Sequence, residues 1–515
     1  MSNPKPTYSI VSRPVSKVIL TLQVAFALLY LYTIIFKLDR GNDILYGALV
    51  LSEIFHVWLV LTLVYTIWPR KLKRIFDVNY QPSLDIFITV VNEPLDIVAQ
   101  TVIACQNINY SNKKIFILND GRVANYAYWQ DTENLAQELG IGCFTRTIGG
   151  GAKAGNINNA LAQTDGDLVA VFDADHCPYP NFCAKTIGYF KDPKVAFVQS
   201  PQYYHNYLEN TVTAGSAEQQ ELFFGPIMAG KSNLNTAFMC GTNMVISRKA
   251  LDQTNGLCVD NIAEDFMTSL QIHRNGWKSV YVPQVLAEGL APEDFGSYSK
   301  QQFRWARGSM EVLFWNNPIL DRKLSWKHKL SYIISASYYL SGIVVVINLL
   351  LPVIFLTTGL QPLYSSSMLL PTVFLPYVML SVLMLNSSTD ANYTFRALAF
   401  SNGSFWIFCK ALYSVILRKN NSFVVTSKSK VDGNFTMLVL PHLLYLIVCG
   451  VAIVYGFYRY DFSAAYLTNV SWIIFNVATF VPFVMCALPE INFAKVLAFL
   501  PTSQKPVKID VDVVE

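Results

Sequence analysis

Charged residues are scarce in this sequence. Asp, Glu, Lys and Arg make up 14% of the 515 residues, against about 25% in an average soluble protein. The formal net charge is only +4, and the small excess is not clustered, so the electrostatic signature of nucleic acid binding is missing. We therefore predict no nucleic acid partner. Low charge together with 14% aromatic residues favours a membrane protein.

Cysteine pairs are also missing, and we expect no cleavable leader. The nine cysteines include no C-x-x-C pair and no histidine partner at metal-ligand spacing. This spacing argues against a disulfide framework and a zinc site and favours reduced cysteines. The first apolar run is too long for a signal peptide, and no small-residue cleavage site follows it.

Six apolar segments are long enough to cross a bilayer, which takes about 20 residues each. They lie at about 18–36, 44–68, 330–358, 366–387, 436–457 and 467–488. The basic run WPRKLKR follows the second segment, and the positive-inside rule places it in the cytoplasm. The same rule puts the N-terminus and the loop 388–435 on that side, and an even number of spans returns the C-terminus to it. We predict a multi-pass protein of the plasma (inner) membrane.

A different pattern occupies residues 75–300. Its short apolar runs have the length of strands and end in polar or acidic residues, as in LDIFITVV (84–91), KIFILND (114–120) and DLVAVFDAD (167–175). Helix-like stretches at 94–107 and 156–163 separate these runs. The alternation predicts a mostly parallel α/β sheet that binds its ligands at the carboxyl ends of the strands. This domain should lie in the cytoplasm.

Acidic residues follow two of the predicted strands. Asp173 and Asp175 in VFDADHC can hold a hard divalent cation and leave its other positions to substrate phosphates. Such a cation would offset the charge of a nucleoside diphosphate leaving group. Asp120 in LNDGR could hydrogen-bond a nucleotide base or ribose, although an ordinary Asn-Asp-Gly turn explains that motif as well.

The run GGGAKAGNINNAL (149–161) joins glycines, Lys153 and the start of a helix. Backbone N–H groups at a helix start, together with a lysine, suit a phosphate. The run fits neither GxxxxGK(S/T) nor GxGxxG, which disfavours a P-loop or a dinucleotide-binding fold. A plain glycine-rich loop is the alternative interpretation.

Glu264 and Asp265 in NIAEDFM lie in the first turn of a predicted helix. Favourable interaction with the helix dipole accounts for acidic residues there. The functional interpretation is that Asp265 acts as a general base that deprotonates a sugar hydroxyl.

The run QQFRW (301–305) comes just before the third apolar segment. Arg304 could clamp a diphosphate, Trp305 could stack on a sugar ring, and Gln301 and Gln302 could hydrogen-bond sugar hydroxyls. An amphipathic helix at the membrane surface is the alternative, and the two interpretations are compatible.

Taken in chain order, these motifs resemble those of the family 2 processive glycosyltransferases, most closely the bacterial cellulose synthase catalytic subunit. The pattern of that family is an aspartate after the second strand, then D-x-D, T-E-D and Q-(Q/R)-x-R-W. The matching segments here end in Asp120, Asp175, Asp265 and Trp305. AKAGN (152–156), FMCGTN (238–243) and FVVTSK (423–428) resemble the lysine loop, the acceptor segment and the gating loop of the family.

The resemblance implies a GT-A-like cytoplasmic domain joined to a channel of about six transmembrane helices with interfacial helices beside it. It implies that Asp265 and Glu264 are catalytic residues, with Asp265 as the base, and that Asp175 with Asp173 holds Mg²⁺ or Mn²⁺. Asp120 and Asp173 would contact uridine. The other implied substrate-binding residues are Lys153, Cys240, Gly241, Gln301, Gln302, Arg304, Trp305, Phe423, Thr426 and Lys428.

The same reasoning divides the chain into five regions. They are residues 1–74 with two transmembrane helices, 75–300 as the GT-A domain, 301–329 as interfacial helices, 330–488 as the channel region with a gating loop at 420–432, and 489–515 as a cytoplasmic tail.

The implied activity is polymerisation of UDP-glucose into a β-glucan that crosses the membrane as it grows. The linkage stays open between cellulose, β-1,3-glucan, mixed-linkage glucan and a capsular glucan. The alternatives are a chitin or hyaluronan synthase-like enzyme that uses a UDP-N-acetylhexosamine, and a non-catalytic membrane transporter that binds nucleotide sugars. Oligomeric state and any export partner stay open.

Some positions depart from the family pattern. Ala263 replaces the threonine of T-E-D, Asn119 stands where a second aspartate is common, and Ser429 stands where glycine is usual. The segment after the last span is short and contains no R-x-x-x-R motif. We therefore expect no PilZ domain and no direct binding of cyclic di-GMP.

Overall fold

Two long apolar helices begin the fold. The structure, a computed structural model, describes residues 10–364, 369–390, 393–418 and 433–489. Helix α1 is Lys17–Phe36 and helix α2 is Asp43–Ile67. Asn42 caps α2, because its side chain accepts hydrogen bonds from the first backbone N–H groups of the helix. The two helices pack against each other.

A seven-stranded sheet follows α2. Its strands are β1 Leu84–Val90, β2 Lys113–Asn119, β3 Gly142–Thr145, β4 Leu168–Asp173, β5 Val195–Gln199, β6 Met244–Ser247 and β7 Lys278–Tyr281. The order across the sheet is β3-β2-β1-β4-β6-β5-β7. Only β6 runs against its neighbours, β4 and β5, and the other neighbouring pairs are parallel. The prediction of a mostly parallel sheet is confirmed.

The helices in this part of the chain are α3 Leu95–Gln106, α4 Trp129–Glu138, α5 Ala152–Leu161, α6 Phe182–Thr186, α7 Thr211–Leu222, α8 Met228–Leu234, α9 Arg248–Asp252 and α10 Glu264–Arg274. Together they cover both faces of the sheet, except that α7 packs against helices that follow the sheet. Alternate residues of β1 point to opposite faces of the sheet. Ile86 packs in one hydrophobic core with Val98 of α3, and Phe87 packs in the other core with Ile157 of α5. All seven residues of β1 are buried, as expected for a strand covered on both sides.

In the described part of the chain, eight more helices follow the sheet. They are α11 Phe295–Phe314, α12 Trp326–Ser337, α13 Ser341–Thr358, α14 Leu369–Thr389, α15 Phe395–Gly403, α16 Phe405–Ile416, α17 Leu440–Tyr460 and α18 Ala464–Met485. Helices α12 and α13 form one apolar rod, interrupted by a 3₁₀ turn at Tyr338–Leu340. Together with α1, α2, α14, α17 and α18, this rod makes six helices, among the described residues, that are long and apolar enough to span a membrane. The prediction of six long apolar helices is confirmed.

The shorter elements complete the description. Two-residue strands pair Asp39–Arg40 with Leu363–Tyr364 and Cys177–Pro178 with Ala287–Glu288. Single helical turns lie at Ile187–Lys191, Phe223–Ile227, Pro318–Leu320 and Thr436–Leu438.

Helices α15 and α16, which were not predicted from the sequence, join the sheet domain to the long apolar helices. Helix α16 packs along α11, and α15 packs against both α7 and α18. The Tyr298 hydroxyl of α11 lies 2.9 Å from Gln219 Oε1 of α7 and 3.1 Å from the Ser404 hydroxyl beside α16. The arrangement ties α11, which carries the QQFRW motif, to both parts of the protein.

Candidate active site

The predicted acidic residues lie at one edge of the sheet. In the strand register, Asn119 at the end of β2 pairs with Val90 of β1, and Asp173 at the end of β4 pairs with Thr89 of β1. Asp120 and Asp175 follow these strand ends directly. Since parallel strands end at the same edge, all three aspartates stand where α/β sheets bind their ligands.

Asp120 forms a buried ion pair with Arg146. Its two carboxylate oxygens accept from Nε and Nη2 of Arg146 at 2.5 and 2.6 Å. The same guanidinium donates to the carbonyl oxygens of Gly150 at 2.6 Å and Ala152 at 2.8 Å. Asp120 therefore fixes the glycine-rich loop through Arg146, a residue that the sequence analysis missed. A contact between Asp120 and uridine stays a prediction.

The Asn-Asp-Gly turn considered for LNDGR is present. The Asn119 side chain accepts from the backbone N–H of Gly121 at 2.9 Å and donates to the carbonyl of Trp129 at 2.8 Å. An aspartate has no N–H to donate, so Asn119 makes a contact here that the aspartate common in the family cannot make.

Lys153 connects two of the predicted motifs. Its ammonium group donates to Asp173 Oδ1 and, at 2.7 Å, to the carbonyl oxygen of Gly241. The lysine lies in the first turn of α5, behind the left-handed Gly151. The lysine loop, the D-x-D motif and the FMCGTN segment thus meet at one ammonium group.

Two glutamines hold the FMCGTN segment in place. Gln199, fully buried at the end of β5, accepts from the Cys240 N–H and donates to the Thr242 carbonyl, both at 2.8 Å. Gln202 donates to the Cys240 carbonyl at 2.9 Å. The Thr242 hydroxyl in turn accepts from the backbone N–H of Asp173 at 2.9 Å. Neither glutamine belongs to a motif, so neither was predicted from the sequence.

Asp265 lies next to this meeting point. A Cβ atom placed on Gly241 would be 3.2 Å from Asp265 Oδ2 and 3.8 Å from Lys153 Nζ. Burial raises the pKa of Asp265 to about 7, and the charge of Glu264 contributes in the same direction, while Lys153 and Arg304 oppose it. A carboxylate with a pKa near the working pH is well matched to general base catalysis.

Replacing Gly241 with alanine should impair this site more than it impairs folding. Gly241 has φ +83°, a left-handed conformation, and its added Cβ would crowd Asp265. We expect a loss of stability of about 1–2 kcal/mol from the backbone and a further drop in activity of about tenfold from the displaced carboxylate. Gly276→Ala is the matched control, because Gly276 has φ +81° and open space around its Cβ. Thermal unfolding and turnover of both variants test this; equal activity of the two would contradict it.

A second group of residues could hold a metal ion. One ligand atom each from Asp173, Asp175 and His176 lies within 4.8 Å of the others. The Asp175 side chain is fully buried and accepts from the Leu290 N–H at 3.3 Å. His176 Nε2 is buried and has no hydrogen-bond partner among the described residues. Two carboxylates fit a cation that prefers oxygen ligands, such as Mg²⁺ or Mn²⁺.

Helix α11 brings the QQFRW motif close to Asp265. A Cβ on Gly308 would be 2.8 Å from the backbone nitrogen of Ala263, so α11 lies directly on the start of α10. Arg304 is near enough to lower the pKa of Asp265. Ala263, which replaces the threonine of the family's T-E-D motif, is thus in tight contact with Gly308.

The residues of the QQFRW motif differ in how far they are buried. Gln302 is buried, whereas Arg304 and Trp305 are half-buried. The carbonyl oxygen of the Gln301 side chain is shielded from solvent and has no hydrogen-bond partner in the described ranges. Contacts of these residues with a sugar stay predictions. Phe423, Thr426 and Lys428 of the predicted gating loop lie outside the described residues.

The geometry thus joins some predicted residues and separates others. Lys153, Asp173, Gly241 and Asp265 form one connected cluster, with Arg304 within electrostatic range. The Asp120 carboxylate instead faces Arg146.

The described structure joins a mostly parallel sheet, with acidic residues at its carboxyl edge, to six helices that are long and apolar enough to span a membrane. Residues 82–308 match the family described as glycosyltransferase like family 2, and residues 253–488 match the family described as cellulose synthase. The chain therefore carries a region that matches each of these two families, as the motifs predicted.

The chain is also similar to individual proteins of known sequence. The chain is 29% identical over 458 residues to the UDP-forming cellulose synthase catalytic subunit of Pseudomonas fluorescens, covering 84% of this chain and 61% of that one. It is 35% identical over 313 residues to the corresponding subunit of Xanthomonas axonopodis pv. citri, covering 58% and 42%. The chain therefore spans less than two thirds of either relative.

The fold is shared with the mannosyltransferase PcManGT of Pyrobaculum calidifontis, solved in complex with GDP-Man and Mn²⁺. That structure superimposes with a TM-score of 0.51 at 16% identity and covers 77% of this chain and 100% of the other. The predicted GT-A-like fold is confirmed.

Proposed function

We propose that the protein is a processive, inverting glycosyltransferase that polymerises UDP-glucose into a β-glucan and moves the product across the membrane. The observation that carries this proposal is the position of Asp265, a carboxylate with a pKa of about 7 beside the Lys153–Asp173 pair. A base next to groups that suit a metal and a diphosphate is what sugar transfer to a hydroxyl requires. The names of the relatives support UDP-glucose and cellulose.

The reaction would be a single displacement. Asp265 takes the proton of the acceptor hydroxyl, whose oxygen forms a bond to the anomeric carbon of the donor. The bond between that carbon and the diphosphate oxygen breaks on the opposite side, so an α-linked donor gives a β-linked product. Lys153 and Arg304 offset the negative charge that develops on the departing UDP.

Asp175 and Asp173 would hold the divalent cation, Mg²⁺ or Mn²⁺. When bound, the cation supplies positive charge against the diphosphate. The Mn²⁺ in the mannosyltransferase complex supports Mn²⁺ as one suitable ion. Asp173 has a second role in this proposal, because it also holds Lys153 beside the site.

The membrane helices would carry the product. Helix α11 connects the start of α10 to the rod of α12 and α13, so the growing end of the glucan would leave the base close to the spans. We place the sheet domain in the cytoplasm of a plasma (inner) membrane protein, because the basic run after α2 favours that side.

Donor sugar and linkage can be tested together. Protein in lipid nanodiscs is incubated with labelled UDP-glucose or labelled UDP-N-acetylglucosamine and either Mg²⁺ or Mn²⁺, and the product is digested with linkage-specific glucanases. We expect a polymer from UDP-glucose that a β-glucanase degrades. Release of UDP without polymer would remove the proposal, and a polymer made only from the N-acetylated donor would redirect it to the chitin and hyaluronan synthases.

The rate should rise with pH through about 7. Asp265 acts as a base only when it has lost its proton, so kcat/KM should climb as pH passes its pKa of about 7. Glu264→Gln removes a neighbouring negative charge that raises this pKa, so the midpoint should move to lower pH. The exposed Glu138→Gln is the control and should leave the midpoint unchanged. Identical profiles for all three proteins would show that Asp265 does not set the rate.

A further inference from the structure

A basic cavity lies away from the acidic cluster. Its volume is about 180 Å³, and it is lined by Lys73, Arg74 and Lys278 together with Asp192, Asn235 and several apolar residues. Lys278 begins β7, so the cavity lies at the amino edge of the sheet, opposite the edge that carries the aspartates. Two of its basic residues, Lys73 and Arg74, belong to the WPRKLKR run. The proposed transferase function uses that run only to orient the protein in the membrane.

The charges that line this basic cavity are not balanced. Lys278 donates to Asp192 at 2.7 Å, and the two charges offset each other. Arg74 donates to the carbonyl oxygens of Ser279 and Ser232 and to the Ser232 hydroxyl, all neutral acceptors. Within the described parts of the chain, neither Arg74 nor Lys73 forms an ion pair with a carboxylate. Burial lowers the pKa of Arg74, while Tyr189 and Asp192 oppose this shift without cancelling it.

Contacts place the basic cavity at the level of the membrane surface. The rings of Tyr65, near the end of α2, and Trp326, at the start of α12, lie 6.1 Å apart. Tyrosine and tryptophan at the ends of spanning helices mark the headgroup region. His328, two residues beyond Trp326, lies 2.9 Å from the carbonyl oxygen of Asn235, and Asn235 lines the cavity. The cavity is therefore close to this aromatic belt.

Apolar residues alternate with the basic ones. Leu72 and Ile75 flank Lys73 and Arg74, line the same cavity and are 44% and 56% exposed. Exposed apolar side chains next to unpaired cations suit a ligand that is anionic at one end and apolar at the other. A free phosphate or nucleotide would satisfy only the cations.

We propose that the basic cavity binds the phosphate headgroup of an anionic phospholipid, with the adjoining acyl region against Leu72 and Ile75. Lys73 and Arg74 supply the positive charge, and Lys278 remains paired with Asp192. The site is independent of the transferase chemistry, since no residue of the acidic cluster lines it.

The test is lipid binding by the full chain in detergent, followed by native mass spectrometry. Phosphatidylglycerol is the probe, and phosphatidylcholine is the zwitterionic reference. We expect selective binding of phosphatidylglycerol, weakened about fivefold by Lys73→Gln. Lys71→Gln removes the same charge from the same basic run but does not line the cavity, so it should leave the affinity close to that of the unaltered chain.

Three results would overturn the proposal. They are equal binding of the two lipids, equal weakening by Lys71→Gln and Lys73→Gln, and displacement of phosphatidylglycerol by inorganic phosphate at matched concentration. The second would indicate general surface attraction, and the third would indicate a site for free phosphate. Thermal unfolding of both variants confirms that the comparison is made on folded protein.

Discussion

Asp265→Asn is expected to abolish measurable polymer synthesis, with a rate reduced by about 10²–10⁴-fold, while UDP-glucose still binds. Asparagine keeps the shape of the side chain and can still accept the hydrogen bond from the Phe266 N–H, which is 2.7 Å long in the structure. It cannot take up a proton from a sugar hydroxyl. Polymer yield is measured from labelled donor, and donor affinity is measured separately by calorimetry.

The control for this variant is Asp260→Asn. Asp260 is exposed, five residues before Asp265 and outside α10, so the same chemical change there should leave synthesis unaffected. Normal polymer yield from Asp265→Asn would show that another group is the base. Loss of donor binding together with synthesis would show that Asp265 serves the donor instead.

Asp175→Asn should be the second most damaging change and should lower the rate by about 10²–10³-fold. The substitution weakens the proposed metal site, and a bound cation is expected to stabilise the charge on the diphosphate by several kcal/mol. The amide can still accept from the Leu290 N–H, so the fold should survive. Its neutral oxygen binds a divalent cation less well than a carboxylate does. We expect Mn²⁺ titrations to show weaker binding and excess Mn²⁺ to restore part of the rate.

Asp165→Asn provides the matched comparison for this effect. Asp165 is exposed, pairs with Lys114 and precedes β4 at the opposite edge of the sheet. Its substitution should change neither Mn²⁺ affinity nor rate. If Asp175→Asn binds Mn²⁺ as tightly as the unaltered protein, the assignment of the metal site to the D-x-D motif is wrong.

The sequence predicted strands with strong local signals and missed those without them. Strands β1, β2 and β4 were predicted to within a residue or two, because each is an apolar run that ends in polar residues. The start of α10 was clear from the acidic pair in its first turn. Strand β6 has only four residues, Met244–Ser247, and its antiparallel insertion between β4 and β5 is a property of the assembled sheet.

The same distinction holds for the candidate site. Charged motifs such as D-A-D and QQFRW are visible in the sequence because their chemistry is unusual for their position. Arg146 and Gln199 are single polar residues without a motif, and their roles depend on partners 26 and 41 residues away, Asp120 and Cys240. Such contacts exist only once the chain has folded, so no local pattern predicts them.

Burial explains why one carboxylate of the acidic pair is singled out. Glu264 and Asp265 are adjacent at the start of α10, where the helix dipole favours both charges. Asp265 lies next to Gly241, and burial with the charge of Glu264 raises its pKa to about 7 in spite of the dipole. The tight contact of Gly308 with Ala263 brings α11 and Arg304 close to this carboxylate.

The most direct test of a single combined site is a structure determined with UDP and Mn²⁺ bound, with the metal located by its anomalous scattering. The account predicts Mn²⁺ at the carboxylates of Asp173 and Asp175 and the diphosphate on the side of Lys153 and Arg304. Asp265 should be left facing the acceptor. Mn²⁺ bound away from Asp175, or UDP bound outside the cluster around Lys153 and Gly241, would contradict it.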